Sequence, residues 1–115
     1  MRTSGVLMPI SSLPSPYGIG TMGKAARKFI DFLDKSGQTY WQILPICPTS
    51  YGDSTYQSFS SFAGNPDCID LEYLCKDGLL KKSECESFDW GGSKKYVDYG
   101  TEYESRNDLL KKALA

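Results

Sequence analysis

Apolar positions along the chain come in short blocks and one longer periodic stretch. Residues 5–10 (GVLMPI) form a continuous apolar run interrupted by Pro9, short enough to predict a buried strand rather than a helix. The next ten residues, SSLPSPYGIG, hold two prolines and two glycines and predict a loop with fixed bends. Met22, Ala25, Ala26, Phe29, Ile30 and Leu33 then recur at helical spacing, with Lys24, Arg27, Lys28, Asp31, Asp34 and Lys35 on the other side. This predicts a helix over 22–35, with Thr21 as its N-cap and Gly37 as the left-handed residue that ends it. Residues 40–44 (YWQIL), aromatic and β-branched and stopped by Pro45, predict a second strand. Strand, helix, strand is a βαβ unit, so Ser4–Met8 and Tyr40–Leu44 are expected side by side and parallel, with the helix packed across them.

Beyond Leu44 the periodicity weakens. Residues 47–66 predict a long loop, rich in rings and hydroxyls and almost free of charge. Residues 68–80 are helix-like in patches, broken near Gly78; residues 88–99 contain Gly91-Gly92 and look irregular. A last helix is expected from Tyr103, with Leu109, Leu110, Ala113 and Leu114 on its apolar face. It reaches Ala115 without a cap, as a cut through a larger domain would leave. The fold class is α/β. Two parallel strands leave both edges open and both faces to cover, so the pattern asks for more βα units than 115 residues supply.

Composition narrows the partners. Thirteen basic and 14 acidic residues give a net charge of −1, so no field draws the chain to nucleic acid or to an anionic membrane. With no histidine, His-based metal sites, Ser-His-Asp triads and Cys-His pairs are excluded within the chain. Four cysteines (Cys47, Cys68, Cys75, Cys85) form no C-x-x-C pair and read as small buried hydrophobes in a reducing compartment. No leader-like start and no membrane-length apolar run occurs, so a cytoplasmic location is expected. The enrichment is aromatic: eight Tyr, five Phe and two Trp. Rings suit core packing, and they equally suit stacking on the C–H faces of sugars.

Residues 51–66 (YGDSTYQSFSSFAGNP) follow the second strand directly, where parallel α/β folds build their sites. Tyr, Asp, Ser, Gln and Asn there suit a polyhydroxylated ligand, and they equally suit a loop that satisfies its own backbone. Among the nearby carboxylates, Asp53 reads as a turn residue and Asp67 as the cap of the next helix, rather than as the paired acids of glycoside cleavage, with Asp70 three residues further on. Gly18, Gly20 and Gly23 trace a G-x-G-x-x-G outline. The loop is too long for a dinucleotide turn, and no acidic residue ends the second strand to hold a ribose.

SGVLMPISSLPSPYGIGTMG, FIDFLDKSGQTYWQILPICPTSYGDSTYQSFSSFAGNP, IDLEYLCKDGLL and VDYGTEYESRNDLLKKA, in that order, resemble the 4-α-glucanotransferases of glycoside hydrolase family 77 over nearly the whole chain. The resemblance implies the N-terminal portion of a (β/α)₈ barrel, about two βα units plus inserted helices, incomplete in this chain and forming one unit over 1–115 with no second domain. It implies transfer of an α-1,4-glucan segment to the 4-hydroxyl of an acceptor by a retaining mechanism. An aspartate nucleophile, a glutamate acid/base and a stabilising aspartate would all lie downstream, none of them in this chain. It implies no cofactor and no metal, and maltooligosaccharides or α-1,4-glucans and glucose as partners, with the rest of the barrel needed to complete the fold. Tyr56 matches the tyrosine that stacks on glucose at the cleavage subsite. Ser54 and Asp53 match the motif around it, and Tyr51 matches a tyrosine of a second glucan site in some members. Thr55 stands where the family usually has proline, and Cys47 where it usually has glycine. Two other readings of the same residues are a stand-alone carbohydrate-binding module built on Tyr51, Tyr56 and Phe59, and a dinucleotide-binding unit built on the glycine outline.

Overall fold

The two apolar blocks pair as their pattern requires. In the computed structural model, which describes residues 1–48, 56, 58, 60, 62–91 and 96–115, β1 (Gly5–Leu7) lies parallel to β2 (Tyr40–Gln42). Gly5 faces Tyr40, Val6 faces Trp41 and Leu7 faces Gln42. Both strands are shorter than predicted. On the β1 side the ladder ends where Met8 N donates to Gln42 O at 3.0 Å, and Met8 O accepts from the Trp41 indole N–H at 2.9 Å. The chain turns there into a 3₁₀ turn, Ile10–Ser12, so Ile10 is a buried turn residue and not part of the strand.

The crossover helix α1 spans Lys24–Lys35, two residues later than expected at its start. Thr21 does not cap it. Its hydroxyl donates to Asp70 Oδ1 at 3.0 Å, and Gly23 takes the N-cap position without a side-chain bond. The other end follows the prediction. Gly37 has φ 73°, with Gly37 N bonded to Asp34 O and Gln38 N to Leu33 O, a Schellman closure. Ala26 and Leu33 are buried, and the Phe29 ring meets Trp41 edge-on at 5.0 Å, which seats α1 on the strands. Met22 and Ile30 stay exposed, so only part of the predicted apolar face is covered.

Three further helices follow: α2 (Leu71–Lys76), α3 (Lys82–Glu86) and α4 (Tyr99–Leu114). α3 was not foreseen, since five residues are too few to display a helical period. α4 starts four residues earlier than predicted, because the Asp98 carboxylate caps it by accepting from Thr101 N at 3.2 Å. Leu114, expected on its apolar face, is exposed, whereas Leu109 is fully buried.

The core lies among these helices, away from the strands. Leu71, Leu80, Cys85 and Leu109 pack with Tyr17, which reaches in from the loop after β1 and meets Trp90 edge-on at 5.5 Å. The sheet, by contrast, is open. Leu7 and Tyr40 are 56% and 62% exposed, and among the described residues the sheet has two strands. The radius of gyration is 15.2 Å. A compact chain of this length would have about 13 Å.

Candidate functional site

Because β1 and β2 are parallel, the segments that follow them leave the sheet at the same end. After β1, Gly20 N donates to Ser11 O at 3.0 Å and closes the loop that carries Tyr17. After β2, Asn65 N donates to Ile46 O at 2.8 Å and closes the base of the long 47–64 segment. The Asn65 side chain accepts from Asp67 N at 2.9 Å and starts the 3₁₀ turn Pro66–Cys68, which packs against the Ile10–Ser12 turn. Met22 N then donates to Cys68 O at 3.0 Å. The two loops are thus fastened to each other at their feet.

Within the long segment, Tyr56 is 73% exposed. Ser58 and Ser60 turn inward on their own backbone: Ser58 Oγ donates to Ser60 O at 2.8 Å, and Ala63 N donates to Ser60 Oγ at 3.3 Å. Those two hydroxyls behave as turn residues. Phe62 is fully exposed and Cys47 is half-buried. Tyr51, Asp53, Ser54, Thr55 and Phe59 lie outside the described residues.

The carboxylates here serve structure. Asp67 is not the cap of the next helix. It sits inside the 3₁₀ turn, and Asp70 caps α2 through Tyr73 N at 3.3 Å while accepting from Thr21. Asp70 also closes the dinucleotide reading. Its Oδ2 lies 2.6 Å from where a Cβ on Gly23 would stand, so the N-terminus of α1 already faces a carboxylate where a pyrophosphate would bind.

The feature that pattern reading missed is a buried ion pair on α4. Arg106 Nε donates to Glu102 Oε2 at 3.1 Å, and both side chains are 1% exposed. Arg106 Nη1 donates to Ile69 O at 2.9 Å and Nη2 to Tyr17 O at 3.5 Å, while the guanidinium lies 5.7 Å from the Trp90 ring. Glu102 Oε1 has no hydrogen-bond partner among the described residues and crowds Gly18, whose φ of 84° no side chain adopts easily. Burial pushes the Glu102 carboxyl up to about 7, against the pull of Arg106. A raised carboxyl suggests a general acid. Sealed from solvent and bound to Arg106, this one has no path to a glycosidic oxygen. One sequence signal was available: Glu102 and Arg106 lie in phase with Leu109 and Ala113, which places a charged pair in an apolar stripe.

No disulfide joins the described cysteines, and Cys75 Sγ and Cys85 Sγ lie 3.5 Å apart. Burial, then the neighbouring Cys75 thiol, pushes Cys85 up to about 12, so it stays protonated and unreactive at neutral pH. Among the described residues, no group of three potential ligands could hold a metal ion, and no helix is long and apolar enough to cross a membrane.

A parallel strand pair, a crossover helix, and two loops bound together at one end of the strands define an α/β protein. The model of the 4-alpha-glucanotransferase family, glycoside hydrolase family 77, matches residues 8–115, and the chain belongs to that family. A 4-alpha-glucanotransferase of Streptococcus pneumoniae serotype 4 is 56% identical over 113 residues, which is 98% of this chain and 22% of the relative. One from Thermus thermophilus is 47% identical over 112 residues, 97% of this chain and 21% of the relative. The solved amylomaltase of Streptococcus agalactiae, in complex with acarbose, superposes with a TM-score of 0.95 at 46% identity, over 99% of this chain and 23% of that one. The chain therefore spans about a fifth of the length of the curated relatives it matches.

Proposed function

We propose that the protein to which this chain belongs is a 4-α-glucanotransferase acting in the cytoplasm. It would move a segment of an α-1,4-glucan to the 4-hydroxyl of glucose or of another glucan, with retention and without a cofactor. The observation that carries this reading is identity of 56% and 47% to named 4-alpha-glucanotransferases, spread over nearly the whole chain. In this reading residues 1–115 are one portion of a (β/α)₈ barrel. The open sheet edges take further strands, and the exposed Leu7 and Tyr40 become interior.

The chain contributes binding and not bond cleavage. Retaining transfer needs two carboxyls about 5 Å apart across the scissile bond. Asp70 is committed to α2 and Glu102 to Arg106, so the nucleophile and the acid/base come from elsewhere in the protein. Tyr56 supplies a ring to stack on glucose, with Ser54 and Asp53 offering hydroxyl contacts beside it and Tyr51 a further sugar platform. The exposure of Tyr56 on a segment leaving the C-terminal end of β2 supports this assignment. In the full-length enzyme, Tyr56→Ala is expected to lower kcat/KM for maltotriose roughly ten- to a hundredfold with little change in melting temperature, since one desolvated aromatic contact contributes about 1–3 kcal/mol. Unchanged kinetics in that variant would remove Tyr56 from the site.

A further inference from the structure

The Arg106 guanidinium is a buried group that touches both loops at the strand ends. Through Ile69 O it holds the residue after the 3₁₀ turn Pro66–Cys68, and through Tyr17 O it holds the loop after β1. The path from Ile69 back to the long segment is short and hydrogen-bonded throughout. Ile69 N donates to Pro66 O, Cys68 N to Asn65 O, and Asn65 N to Ile46 O, which closes the segment carrying Tyr56. We propose that Arg106 is a positioning residue for glucan binding, a clamp that fixes the foot of the 47–64 segment against the loop after β1 so that Tyr56 is presented in one orientation.

The proposal rests on the sugar-binding role of Tyr56 given above. Its physical basis is the fork of the guanidinium. Three nitrogens aim at three acceptors on different segments, Glu102 Oε2, Ile69 O and Tyr17 O, while the face lies against Trp90. A lysine could keep the charge beside Glu102 and could not span all three acceptors. Nor does the site stabilise cheaply. A buried ion pair costs desolvation that its own attraction barely repays, and here Glu102 Oε1 is left without a partner among the described residues as well. Apolar side chains would fill the same volume at no such cost, whereas only a planar multi-donor cation ties two backbone carbonyls of separate loops to one helix.

The test is a double-mutant cycle in the full-length enzyme. Arg106→Lys is made alone and with Tyr56→Ala, and the pair variant Glu102→Gln/Arg106→Met is carried in parallel because it removes the buried charges together. Arg106→Lys and the pair variant are each expected to lower kcat/KM for maltotriose at least tenfold, mainly through KM. In the Tyr56→Ala background the same changes should cost less than threefold. Amide hydrogen exchange reads the positioning without reference to sugar: peptides covering residues 47–64 should exchange faster in both variants, while those of α1 stay at parental rates. Full additivity with a Tyr56→Ala that itself lowers kcat/KM, or parental exchange in 47–64, would overturn the proposal. Failure of both Arg106 variants to fold would also overturn it, leaving Arg106 a support of the core alone. An inert Tyr56→Ala with faster exchange in 47–64 would sink the stacking role and keep the clamp.

Discussion

Glu102 concentrates the electrostatic tension of the chain in one side chain. It is 1% exposed, holds Arg106 with one oxygen and leaves the other without a partner among the described residues. Its carboxyl titrates near 7 when folded against an ordinary value of 4.5, with burial the largest cause. Asp67 and Asp98 push in the same direction and Arg106 opposes them. The folded state therefore keeps a proton that the unfolded chain releases above 4.5. This group's contribution is fully present below pH 4.5, is lost as pH rises to about 7, and is level above that. The change is on the order of 1–3 kcal/mol. The difference in unfolding free energy between the parent and Glu102→Gln, followed by urea denaturation from pH 4.5 to 8, should shift across that window and be flat outside it. A difference that does not vary with pH would mean the carboxyl stays ionised throughout.

At the scale of elements, caps decide where helices begin. Asp70 opens α2 through Tyr73 N and also receives the Thr21 hydroxyl, tying α2 to the approach of α1. Asp70→Ala removes both bonds and is expected to cost about 1–2 kcal/mol in urea unfolding, more than Asp98→Ala at the more exposed start of α4. Equal losses would show that the Thr21 bond contributes nothing. The same elements show what the sequence could disclose. The body of α1 and its closure at Gly37 were legible because each depends on residues close together in the chain, and the parallel pair was legible from the strand–helix–strand order, although its partners stand 35 positions apart. The start of α1 was misread because Thr21 spends its hydroxyl on a residue 49 positions away. α3 is too short for a period, and Tyr17 read as part of a loop because its core partners come from residues 71 to 109. Of the candidate sugar residues, the sequence supplied the motif, while the ion pair on α4 was hidden by the habit of placing charges on the solvent side of a helix.

At the scale of the whole molecule, two regions differ in completeness. The helical region encloses its own core, while the strands keep open edges and exposed side chains such as Leu7 and Tyr40. Open parallel edges are templates for pairing. The isolated 115-residue chain is expected to self-associate at rising concentration and to release no glucose from maltotriose, because Asp70 is committed to the start of α2 and Glu102 is buried against Arg106. Light scattering and product chromatography check the two halves of that statement. Reproducible disproportionation above a protein-free control would assign catalysis to this chain after all.

The unequal halves also carry their own optical labels. Trp41 donates its indole N–H to Met8 O at 2.9 Å and packs against Phe29 on the sheet. Trp90 donates to Cys85 O at 2.7 Å and meets Tyr17 in the helical core. Each half of the molecule thus holds one tryptophan seated on a backbone carbonyl. Emission from single-tryptophan chains separates the melting of the open half from that of the closed one, with no dye and no added probe.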